Sequence, residues 1–152
     1  MNINLINKSS IPTAKLLKII SFCRPKNCKL PKIIVKDLKD KNKAYDCDFR
    51  YSIRNQIEPW VVIRINSPDY FPLDYQMRAD KIKRFGYLGH YKIENQTEAI
   101  IFTLAHELHH HYTFKNPKTR YLFVAKIQKT EELADKFAFR KLKKFRELKG
   151  KI

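Results

Sequence analysis

Residues 103–112 read TLAHELHHHY, and three of them have the types and spacing for metal-assisted hydrolysis. His106 and His110 are four positions apart, so on an α-helix they sit one turn apart on one face. Two imidazoles so placed can hold a Zn²⁺ ion through nitrogens about 2.0–2.1 Å from the metal. Glu107, beside the first histidine, is of the type that takes a proton from water activated by that ion instead of binding the ion itself. The competing reading is a solvated, histidine-rich helix end that holds nothing.

Such a site needs a third protein ligand and one position open to water. The metzincin continuation demands glycine at position 113 and histidine at position 116. Thr113 and Asn116 stand there, which excludes that class. A carboxylate from a later helix is the other route. Residues 131–138 read EELADKFA, which puts Glu131 and Asp135 one turn apart on one helical face. Glu131 is the candidate ligand, with Glu132 its rival. Asp135 is the candidate acceptor for the second ring N–H of a ligating histidine. Taken alone, Glu131 reads as a charged, solvated turn favoured by the helix dipole. Its place after the histidine pair is what raises it.

His109 and His111 are expected to find partners elsewhere, because an H-E-x-H pairing leaves Glu107 without a role and His111 points off the ligand face. A tetrahedral intermediate also needs a donor for its oxyanion. Tyr87, His90, Tyr91 and Tyr112 are candidates. His90 is singled out because it lies on the strand before the active helix; the alternative is a plain strand residue.

TLAHELHHH followed by E-x-x-A-D-x-F-A resembles the gluzincin class of metallopeptidases, and is similar in particular to the ImmA/IrrE family and the single-domain minigluzincins. The resemblance covers roughly residues 85–140. It implies His106, His110 and Glu131 as zinc ligands, Glu107 as general base, and Asp135 at the family's Asp or Asn position. It also implies a zincin-like fold, and a protein or peptide substrate paired through its backbone with strand 85–93. Two features depart from the family. His109 replaces the usual glycine of HELGH, and the frequent helix-turn-helix domain is not found in this sequence, which leaves a repressor substrate open.

The elements that must position these residues can be read from periodicity. Residues 12–22 predict a short helix with Pro12 near its first turn. Residues 33–35 and 44–51 predict strands, and 60–65, WVVIRI, predicts the strongest one. NSPDYFP then reads as a turn. Residues 76–84 are expected as a short helix and 85–93 as a strand. A long helix is expected from Asn95 or Thr97 to just before Pro117, with Ile101, Leu104, Ala105 and Leu108 on its apolar face. Another is expected from near Tyr121 to about Leu148. The pattern is α+β: a small mixed or antiparallel sheet packed on the HExxH helix and a long C-terminal helix, in one domain.

Composition bounds the rest. The chain has 152 residues, 43% of them hydrophobic and 12% aromatic, enough to build a core without disulfides. Its formal net charge is +17, from 32 Lys+Arg against 15 Asp+Glu. That balance suits nucleic acid or an anionic surface, or simply a lysine-rich solvated exterior. The tail KLKKFRELKGKI reads as the solvated back of the last helix or as a phosphate contact. No run approaches the ~18 apolar residues of a membrane span, and no secretory signal is expected at Asn2–Asn7. Cys23, Cys28 and Cys47 make an odd count, and without a secretory signal free thiols and a reducing cytoplasmic setting are the expectation. Separately, the chain is expected to be a monomer. A structural zinc on those cysteines with His90 ranks behind, since such pairs usually enclose two residues.

The leading expectation is a zinc-dependent peptidase with Glu107 as base, selective for a regulatory or DNA-associated protein. The alternatives are a basic nucleic-acid-binding protein with a structural metal, and an inactive peptidase-like interaction module.

Overall fold

The computed structural model describes residues 3–50, 58–76, 90–116, 118–120 and 127–148. Strand β1 (Leu5–Lys8) leads into helix α1 (Thr13–Cys23), then strands β2 (Lys32–Asp37), β3 (Tyr45–Arg50) and β4 (Trp60–Ile65). A 3₁₀ turn at Pro68–Tyr70 precedes β5 (Leu73–Gln76) and β6 (His90–Ile93). Helices α2 (Gln96–Lys115) and α3 (Ile127–Glu147) complete the order. The architecture is α+β, as the sequence predicts.

The main sheet runs β1-β2-β4-β3, with β1, β2 and β4 parallel and β3 antiparallel to β4. WVVIRI takes an inner position between β2 and β3, which explains its continuous apolar run. Val61, Ile63 and Ile65 face the core beside Ile33 and Val35 of β2. β5 and β6 form a separate antiparallel pair.

Two strands escape the sequence reading. β1 is four residues of mixed polarity, and it exists because Leu5–Lys8 pairs in parallel with Ile33–Lys36, a contact with no local signature. β5 follows the expected turn directly and is held by its pairing with β6. Of the helix expected at 76–84, only Gln76 is described, and it ends β5. The remainder lies outside the described residues, as do 85–89 of the expected strand; 90–93 is strand.

α2 packs on the sheet, and α3 packs on the outer side of α2. Ile100, Ile101, Leu104, Ala105 and Leu108 of α2 meet Leu16, Ile19 and Ile20 of α1 and Ala138, Leu142 and Phe145 of α3 in one core. A helix covered on so many sides is buried nearly all round.

Its start is set by Asn95, whose Oδ1 accepts from Glu98 N–H at 3.0 Å. Glu98 in turn accepts from Glu94 N–H at 2.9 Å. The same buried carboxylate takes two bonds from Arg146, Nε at 2.8 Å and a terminal nitrogen at 2.6 Å. The head of α2 is thereby clamped to the tail of α3, which fixes the two helices as an antiparallel pair. α2 ends at Lys115, and Asn116 turns extended before the proline, as predicted.

Candidate metal centre

The antiparallel register carries the EELAD turn of α3 onto the histidine turn of α2. His106 Nε2 and His110 Nε2 lie 2.9 Å apart. Glu131 places one carboxylate oxygen 3.3 Å from His106 Nε2 and the other 3.2 Å from His110 Nε2. Among the described residues, these three side chains form a group able to hold a metal ion. The histidines are covered, with side chains 15% and 6% exposed, whereas Glu131 is 43% exposed. One side of the group therefore faces solvent.

Asp135 is the residue that aims the first imidazole. Its Oδ1 accepts from His106 Nδ1 at 2.8 Å, which leaves Nε2 turned toward His110 and Glu131. The rival carboxylate, Glu132, points elsewhere: it pairs with Lys136 one turn along on the outer face.

The electrostatics of the group favour a cation. Burial opposes charge on His106, yet its bonds to Asp135 and Glu131 and the nearby Glu107 charge outweigh burial and raise it to about 10. Burial likewise pushes the Glu131 carboxyl up, but the bonds to His106 and His110 hold it well below the usual carboxylate range.

Glu107 is buried between His106, which feels its charge, and the sheet. Its neighbour there is Cys47 of β3, whose thiol bonds to the carboxylate. Burial, then the Glu107 charge and that bond, push this thiol well up. The contact follows from register. Tyr45, Cys47 and Phe49 stand opposite Ile65, Ile63 and Val61, so they share the core face. Asp46 and Asp48 take the other face and ion-pair with Arg64 at 2.8 and 3.0 Å. Two strand residues advance about 6.6–6.8 Å and four helix residues about 6 Å. The pair Cys47–Glu107 is accordingly followed by Phe49 packing edge-on against His111, ring centres 5.9 Å apart. Sequence reasoning missed Cys47, because the partner of Glu107 comes from an antiparallel edge strand with no motif of its own.

His109 and His111 find partners away from the group, as expected. His109 packs its ring on Phe137 at 5.3 Å, and burial, then His110 and His106, lower it to about 4. His111 is turned away from the group, with Nε2 2.9 Å from the carbonyl of Lys29. A cavity of about 590 Å³ lies on that other side of α2, between Cys28, Lys29, Glu58, His111, Tyr112 and Lys115. Tyr112 thus borders this cavity. The side chain of His90, the oxyanion candidate, lies outside the described residues, as do those of Tyr87 and Tyr91. Among the described residues the three cysteines do not come together: Cys23 bonds to the carbonyl of Ile101, Cys28 to that of Lys29, and Cys47 faces Glu107.

No protein-family model, no curated protein and no solved structure matches this chain.

Proposed function

We propose that this chain is a zinc-dependent peptidase, and the observation that supports this best is the convergence of His106 Nε2, His110 Nε2 and the Glu131 carboxylate. Ligand atoms around a tetrahedral zinc ion are about 3.3 Å from one another, given bonds of about 2.0–2.1 Å. The nearest approaches of these groups, 2.9, 3.2 and 3.3 Å with a different Glu131 oxygen toward each histidine, are of that order. Two nitrogens and one oxygen, with a solvent-facing side, also match the donor set of hydrolytic zinc sites.

Zinc held there supplies a Lewis acid and lowers the pKa of water toward ~7. His106 and His110 bind it in their Nε2-unprotonated forms, and Asp135 keeps the proton of His106 on Nδ1. Glu107 takes a proton from the attacking water and returns it to the leaving amine. Its buried setting, with the Cys47 thiol on one side, restricts the carboxylate to few orientations. A peptide substrate lies extended beside the site. Among the described residues β3 is the edge of the main sheet, and it runs along α2 past Glu107, so its free edge suits pairing with a substrate backbone. The pairing expected from the sequence along 85–93 is described only at 90–93. That stretch joins α2 about 15 Å of helix before His106.

Metal analysis of purified protein tests this reading. One zinc per chain is expected in wild type, with loss in His110→Ala and in Glu131→Ala. Glu107→Gln is expected to keep zinc yet lose chelator-sensitive cleavage of a degenerate peptide library. Retention of stoichiometric zinc in both ligand variants would refute the site.

A further inference from the structure

Part of the positive charge, which is otherwise spread along the chain, forms a row on one helix. Lys129, Lys136, Arg140 and Lys143 follow one another at seven, four and three positions along α3, with Lys144 alongside. At 3.6 residues per turn that spacing puts all five within one face. All five are exposed, whereas Ala134, Ala138, Leu142 and Phe145 on the opposite side are buried. The row from Lys129 to Lys144 is about 22 Å long. Nearby carboxylates are engaged: Glu98 with Arg146, Glu131 and Asp135 with the histidines, and Glu132, on the outer face, with Lys136 of the row itself. Glu147 ends the row. Lys129, Lys143 and Lys144 form no ion pair among the described residues.

We propose that this face of α3 is a docking surface for duplex nucleic acid, contacting the phosphate backbone without reading sequence. A straight row of about 22 Å matches the phosphates along roughly two-thirds of a duplex turn of ~34–36 Å. Lysine and arginine ends without base-reading side chains between them supply affinity and position rather than specificity. An anionic membrane fits less well. A helix that lies on lipid needs an exposed apolar face, and that of α3 is spent in the core. Leu148, 43% exposed, is the large apolar side chain left outside among the described residues. Glu131 and Asp135 project to another side of the same helix, toward α2, so a docked duplex leaves the metal group clear. The surface stands whether or not that group hydrolyses peptides.

Fluorescence anisotropy with a random-sequence 20-base-pair duplex, titrated over a range of salt, tests it. Wild type is expected to bind with log K falling against log salt at a slope of about −3.5 to −4.5, as four to five phosphate contacts require. The variant Lys129→Gln/Arg140→Gln/Lys143→Gln/Lys144→Gln is expected to flatten that slope toward about −1 and to weaken binding at least ~10-fold at low salt. Lys15→Gln/Lys39→Gln/Lys41→Gln/Lys43→Gln removes the same charge from exposed positions elsewhere and is expected to stay near wild type. Far-UV circular dichroism confirms that α3 is intact, and excess chelator is expected to leave binding unchanged. Equal losses in the two variants would assign the binding to net charge and overturn the proposal. So would wild type that ignores the duplex, or that prefers phosphatidylserine vesicles to it.

Discussion

Asp135 holds the Nδ1 of His106 at 2.8 Å from one helix to the next, and this bond decides which ring nitrogen faces His110. Removing it frees the imidazole to rotate and to change tautomer. Asp135→Ala is therefore expected to weaken zinc binding by ~10–100-fold without displacing His110 or Glu131. Competition with a chromogenic chelator measures this, and an unchanged dissociation constant would count against Asp135 as the residue that orients His106.

Glu98 and Arg146 clamp the head of α2 to the tail of α3, with the carboxylate buried and the guanidinium partly exposed. Arg146→Ala leaves that carboxylate covered and unpaired on the helix side. A loss of ~1–3 kcal/mol is expected in urea unfolding. Arg146→Lys is expected to recover part of it, since a single ammonium replaces a two-nitrogen fork.

The same pair sets an acid limit on stability. Burial pushes the Glu98 carboxyl up, but bonds from Arg146 and from Glu94 N–H hold it below its ordinary value of 4.5. A folded value below the unfolded one gives stability that is fully present above 4.5 and lost as pH falls from there through the folded value. Melting temperature measured from pH 7 down to pH 3 is expected to drop below about 4.5 in wild type. Glu98→Gln is expected to start lower and to lose less across that interval.

Cys47 reports on Glu107. All three thiols are raised, Cys23 to about 12 by burial, so slow labelling by maleimide is expected in wild type. Glu107→Gln removes the neighbouring negative charge, which makes the Cys47 thiolate easier to form. Faster labelling at Cys47, with Cys23 unchanged, is the expected result by mass spectrometry. Equal rates in wild type and variant would show that the two side chains do not sense each other.

The helix that carries the histidines depends on its packing. Leu104 is 1% exposed in the centre of the core, and Leu104→Ala is expected to lose ~2–5 kcal/mol. Leu148→Ala, at an exposed position, is expected to change stability by less than ~0.5 kcal/mol. Equilibrium denaturation of both variants checks the contrast.

Much of the centre was legible before any fold was known. The i,i+4 spacing of His106 and His110 is a property of one helix, and so is the i,i+4 placement of Glu131 and Asp135. The Asn95 start and the stop before Pro117 are equally local, since capping and proline sterics act over a few residues. The strand WVVIRI was readable for the same reason, from its own composition. β1 and β5 were not, because four-residue strands are held by partners distant in sequence.

By itself, then, the sequence determined two helical faces, one with paired imidazoles and one with carboxylates, together with a large excess of positive charge. Only the tertiary structure decided that these faces meet, that Glu131 and not Glu132 turns inward, and that the partner of Glu107 is Cys47. The physical reason is phase. Backbone hydrogen bonds fix angular position within a helix, but the offset between two helices, or between a helix and a strand, comes from core packing and from the Glu98–Arg146 clamp.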